Sequence, residues 1–267
     1  MINIWNLISI KTMKRGDEMK RKSKVYGVIL SFTLALTLTI PLSNAQAAKT
    51  SSDYPYAEEI AALQPGTTPE EVIQSAKQLA KQENVKTEAI LKQFHQEITA
   101  DKAEGDKIAK KSYSTMGGSS GSKKLPKSSK GNIYYTNSYT AYYNHGHVGM
   151  YSAADKIVES VPGDGVRQIA YNARDVEDNS IVQSVSVTSS QKTAAADWAV
   201  SKVGDAYSFN FINNRNTGHD GAKNCSKLLW SAFLLKAGID VDSNGGAGVY
   251  PRDITSSSYT TTIATIN

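Results

Sequence analysis

Apolar residues change their spacing repeatedly along this chain of 267 residues. Residues 25–42 carry no charge and are rich in Leu, Val and Thr. Near Thr68 the spacing becomes helical, with Val72, Ile73, Ala76, Leu79 and Ala80 on one face. Thr68 serves as N-cap, Pro69 fits the first helical position, and Glu71 closes a capping box. Thr87 reads as the next cap, with Ile90, Leu91, Phe94 and Ile98 along a second amphipathic helix. His95 lies on this helix as a surface or interface residue. From Gly131 the chain becomes strand-rich. Residues 133–136, 148–151 and 157–161 read as strands, and residues 180–188 alternate apolar with polar. A helix opens at Thr193 and ends near Gly204, and a last one covers 224–237, with Gly238 as its C-cap. The pattern predicts an α+β fold without internal repeats.

The unbroken apolar run is preceded by Lys20, Arg21, Lys22 and Lys24 and followed by Ala45 and Ala47. A basic segment, a short apolar core and small residues before a cut are the parts of an export signal, with cleavage after Ala47. Residues 1–47 are thus expected to be a signal peptide with an upstream extension. Residues 48–110 form a helical region that packs on the larger domain, acts as a propeptide or docks a partner. Residues 111–130, rich in Gly, Ser and Lys, read as a linker, and residues 131–267 as the main domain. A secreted or cell-wall-associated protein with no stable membrane anchor after cleavage is expected. Its oligomeric state is open.

The net charge of +5 is modest and partly confined to the signal and the linker. It suits contact with anionic wall polymers. No basic stripe with interleaved aromatics points to nucleic acid. One Cys and four His lack paired-ligand spacing, so no metal is expected. No phosphate-cradling or dinucleotide motif is present, and no cofactor is expected.

That single cysteine, Cys225, has no disulfide partner within the chain. With Asn224 as N-cap it stands at the first position of the last helix. There the free N–H groups and the helix dipole favour a thiolate, and the same N–H groups can stabilise an oxyanion. The bland alternative is a buried core thiol. His147 opens a strand whose return partner carries Glu159. A hairpin centred on Ala153 sets the two side chains directly opposite, where a carboxylate can orient an imidazole. A polar cross-strand pair is the competing reading. His145 competes as the base from loop-like sequence, and His219 sits on a loop before the cysteine helix, facing substrate.

Taken together, Gly131-Asn132-Ile133-Tyr134-Tyr135, Gly146-His147-Val148-Gly149-Met150-Tyr151, the Glu159 strand, Gly204-Asp205-Ala206-Tyr207 and Asn224-Cys225-Ser226-Lys227-Leu228-Leu229-Trp230 resemble the motifs of the NlpC/P60 superfamily of papain-like cysteine hydrolases. His147 precedes Cys225, which is the order of the circularly permuted, YiiX/YycO-like branch. The resemblance covers roughly residues 131–255. It implies a small antiparallel barrel or sheet packed against the cysteine helix. It also implies Cys225 as nucleophile, His147 as general base and later acid, Glu159 as orienter, and Tyr207 lining the site or packed in the barrel. The implied activity is that of a cysteine peptidase or amidase acting on peptide or amide substrates of the cell wall. An acyltransferase or thioesterase on lipid-like acyl groups, or a non-catalytic wall-binding module, are the alternatives.

Overall fold

The computed structural model describes residues 53–115, 123–140 and 143–267. The segment read as an export signal and the Gly/Ser part of the linker lie outside these residues. Three helices come first: α1 (Ala57–Ala62), α2 (Pro69–Glu83) and α3 (Thr87–Thr115). The capping box at α2 is formed as the sequence predicts: Thr68 Oγ1 accepts from Glu71 N at 3.2 Å and Glu71 Oε2 accepts from Thr68 N at 2.8 Å. Short strands β1 (Lys123–Lys124), β2 (Ile133–Thr136), β3 (Tyr139–Thr140) and β4 (Tyr143–Asn144) follow, then β5 (His147–Ala153), β6 (Lys156–Val161) and β7 (Gly165–Ala170). After β8 (Asp175–Val176) and β9 (Ser180–Val185) come helices α4 (Ser189–Val200), α5 (Cys225–Ala237) and α6 (Pro251–Thr255), and the chain closes on β10 (Thr260–Ile266).

Six strands form one antiparallel sheet in the order β10-β9-β2-β5-β6-β7. It is an open sheet, not the closed barrel of one expected alternative: among the described residues β10 and β7 are free edges, and the fold is mixed α+β. Alternation along the strands divides the buried side chains into two sets. Ile133, Val148, Met150 and Val158 belong to one core with Leu228, Leu229 and Phe233 of α5 and Ala195, Ala196 and Ala199 of α4. Tyr134, Tyr151, Ile157 and Val182 belong to a smaller cluster with Leu125 and Val176. Truncating one of the fully buried α5 side chains removes about 2–5 kcal/mol, by loss of apolar transfer and by the cavity left behind.

The described residues make one compact unit, and the helical region is built into it. Val72, Leu91, Phe94 and Ile98 share the core of α4 and α5. Gln64 Oε1 accepts from Phe211 N at 2.9 Å, and Glu97 accepts from Ala247 N and Gly248 N at 3.1 and 2.9 Å. Gly105 lies where a Cβ would come 2.0 Å from the Asn144 carbonyl oxygen, so only glycine lets α3 approach β4 this closely. The expected boundaries also shift. α3 runs to Thr115, into the segment read as linker, and Lys123-Lys124 already pairs as a strand with β8. α4 starts earlier than Thr193, because Thr188 and Gln191 make a capping box that ends the preceding strand.

Candidate active site

Helix α5 begins where several buried polar groups fix its tip. Asn224 accepts from Lys227 N at 2.9 Å and pairs amide to amide with Asn214, at 3.0 and 3.1 Å. Lys223, fully buried, is neutralised by Asp205 and also donates to the Gly221 carbonyl. Its own carbonyl accepts from Ser160 Oγ at 2.6 Å, which ties the helix start to β6. Cys225 therefore occupies the first helical position, as the sequence predicts, on a rigid support.

The partners come from one row across the sheet. Tyr134 on β2 faces Gly149 on β5, and Glu159 on β6 faces Arg167 on β7. Between β5 and β6, Met150 faces Val158 and Tyr151 faces Ile157, with a shift after Tyr151. That bulge corrects the expected register. Carried back along the hairpin, the observed pairing sets Glu159 opposite Gly149, and His147 two residues away on the same face. The two side chains still meet: His147 Nε2 and Glu159 Oε2 are 2.7 Å apart. Gly149 makes the row work. A Cβ there would stand 2.4 Å from the Tyr134 ring. With only hydrogen at that position, the ring crosses β5 and the Tyr134 hydroxyl donates to Glu159 Oε2 at 2.6 Å.

Glu159 has no exposed surface, yet it is an anion. Burial pushes its carboxyl up, but the hydrogen bond and charge of His147, the charge of Arg174 and the Tyr134 hydroxyl hold it far below the usual carboxylate range. Arg167 adds two donors to Oε1, from Nε at 2.9 Å and Nη2 at 2.7 Å. His147 is buried as well. Burial favours its neutral form, but the charge and hydrogen bond of Cys225, then those of Glu159, outweigh this and raise its pKa above the ordinary value. Nε2 is engaged by Glu159, so Nδ1 is the other ring nitrogen.

A cavity of about 320 Å³ opens beside His147, lined among others by His145, Tyr207, Asp164, Arg167 and Arg174. Cys225 itself has no exposed surface. Tyr207 is half-buried and lines the cavity, and burial, then the charge of Cys225, raises its phenol pKa. His145 reaches the cavity, but burial, then the charge of His147, lowers it to about 4, and its ring leans on Phe211 and Tyr143. The structure does not bring His219 to this cavity. Its Nδ1 hydrogen bonds Ser231 Oγ at 2.8 Å and its ring lies against Trp230, farther along α5. Tyr134, Arg167 and Arg174 escape sequence reading. Only the register that aligns 134, 149, 159 and 167 could have signalled the first two.

No family model matches the chain. Uncharacterized protein YycO of Bacillus subtilis (strain 168) is 78% identical over 249 residues, covering 93% of this chain and 100% of that protein. The chain belongs to the same family as YycO. A crystal structure of metalloprotein yiiX from Escherichia coli O157:H7 is 16% identical, with a TM-score of 0.39. The match covers 52% of this chain and 98% of that one, and it is too distant to carry an argument about chemistry. Among the described residues, no three His, Cys, Asp or Glu side chains are grouped to hold a metal ion.

Proposed function

We propose that this member of the YycO family is an exported cysteine hydrolase of permuted papain-like, NlpC/P60 type, cleaving amide bonds of cell-wall peptides. The observation that carries the reading is the buried His147 paired at 2.7 Å with the ionised Glu159, with the charge of Cys225 among the causes that raise the imidazole pKa. In this reading His147 is the general base that takes the thiol proton as the sulfur attacks. The thiolate attacks the amide carbonyl. The carbonyl oxygen, now negative, meets the N–H of Cys225, which has no partner inside the helix. His147 gives its proton to the leaving amine as the C–N bond breaks. It then takes a proton from water, which adds to the thioester, and the acid leaves as the thiol re-forms. Glu159 stays ionised throughout and holds the ring by Nε2.

Because the thiol is covered, substrate entry requires a neighbour to yield. Tyr207 lines this cavity and a second one bounded by α2, so it is the side chain positioned to swing aside. A cavity carrying Arg167, Arg174, Asp164 and His145 suits a polar peptide better than a lipid acyl chain. The test is digestion of defined muropeptides by wild type and Cys225→Ala. New amine ends made by wild type alone support the reading, and equal products from both end it.

A further inference from the structure

The two arginines of the His147 cavity are not equally used. Arg167 spends Nε and Nη2 on Glu159 Oε1 and Nη1 on Asp164, at 2.5 Å. Arg174 makes no hydrogen bond among the described residues. Its Nη1 stands 3.5 Å from Glu159 Oε2, and its Nε is buried without a partner. Glu159 cannot serve it better. Two Arg167 donors, His147 and Tyr134 already fill the four acceptor positions that a carboxylate offers. The nearby charges balance, with Asp164 paired to Arg167, any thiolate at Cys225 matched by the His147 cation, and Glu159 facing Arg174 at 3.5 Å, so what Arg174 lacks is hydrogen-bond acceptors and not a counter-charge. A guanidinium with 20% of its side chain exposed and spare donors is costly unless an acceptor arrives.

We propose that Arg174 is the anchor of an anion subsite in this cavity and that it selects acyl substrates carrying a carboxylate beside the scissile bond. This rests on Cys225 being the nucleophile. The planar fork of Arg174 reads the two oxygens of the carboxylate, as guanidinium groups commonly do. Bound there, the substrate supplies the missing acceptors and brings its carbonyl alongside His147. The subsite thus names a chemical class, acidic peptides, within the wider range that an amidase accepts.

The test needs no knowledge of the natural substrate. Iodoacetate and iodoacetamide alkylate the same thiol, but only the first carries a carboxylate. Their rates on Cys225 are measured for wild type, Arg174→Gln and Arg174→Lys. The quotient of the iodoacetate and iodoacetamide rates should fall about tenfold in Arg174→Gln, the scale of one charge-assisted hydrogen bond. Arg174→Lys, which keeps the charge, should fall less. In wild type, glutarate should slow iodoacetamide while chloride at equal ionic strength does not, a result that depends on no variant. A quotient unchanged in Arg174→Gln, whatever the separate rates do, overturns the subsite, as does glutarate acting no better than chloride. Failure of the underlying reading looks different: wild-type Cys225 would then react with iodoacetamide no faster than a small free thiol.

Discussion

Carboxylates in two parts of this molecule, one wholly and one partly buried, shift in opposite directions. Glu159 is wholly buried and remains an anion, because every acceptor position on it faces a donor. At the junction of α3 and α6, Asp101 and Asp253 line a cavity of about 490 Å³ together with Glu97 and Glu104. Asp101 is bound by Arg252 Nε at 3.0 Å, but its Oδ2 is buried without a hydrogen bond. Burial wins there, against Arg252, and raises Asp101 to about 6. It also raises Asp253 to about 7, against the hydrogen bond from Tyr250 N. Burial thus moves a carboxyl toward its neutral form where donors are few, and the full set of donors on Glu159 outweighs it. The sheet builds that set where chemistry needs it, and the helix junction does not.

Removing the anion itself should have the largest effect. Glu159→Ala leaves Arg167, Arg174 and His147 facing an empty position, so urea unfolding should show a loss of about 3–5 kcal/mol. Glu159→Gln keeps the shape. It removes the charge that helps to raise His147, so the alkaline limb of the pH–rate profile, where the imidazolium is lost, should move to lower pH. A limb that stays in place would mean that Glu159 does not tune the base.

Tyr134→Phe removes one of the four donors and should cost about 1 kcal/mol in the same unfolding measurement. Gly149→Ala should cost more than Tyr134→Phe, because the new methyl displaces the ring as well as its hydroxyl. The reverse order would break the picture of a ring crossing at glycine.

The smallest effect belongs to the helix junction and has the opposite sign. A carboxyl raised to about 7 from an ordinary 3.8 binds its proton more tightly in the folded chain. Its stabilising contribution is complete below the ordinary value and is lost as pH rises through about 7. Glu159, held low, loses its contribution only under far more acid conditions. Thermal melts should therefore show Asp253→Asn raising the melting temperature at pH 8 by a few degrees and leaving it nearly unchanged at pH 4.

Much of this arrangement was legible along the chain. The Asn224 cap, the Cys225 position and the Gly238 stop are local, and local chemistry decides them. The meeting of His147 with Glu159 was also readable, though not its register. The bulge after Tyr151 depends on pairing across strands, which one strand does not display. The same blindness hid Tyr134, Gly149 and Arg167, whose roles exist only as a row. β10 went unread because its Thr-rich edge alternates weakly, with only partly buried residues facing inward. His219 misled for a related reason: proximity in sequence to Cys225 set it beside α5, but on the flank near Trp230.

The decisive measurement is the alkylation rate of Cys225 by iodoacetamide at pH 6 in wild type and in His147→Gln, which keeps the bulk of the ring but cannot carry its charge. If His147 draws the proton from the thiol, wild type should react at least about tenfold faster, as expected for a thiol paired with an imidazole. Equal rates in the two proteins would show that sulfur and imidazole do not act together, and the proposed hydrolase would fall with that result.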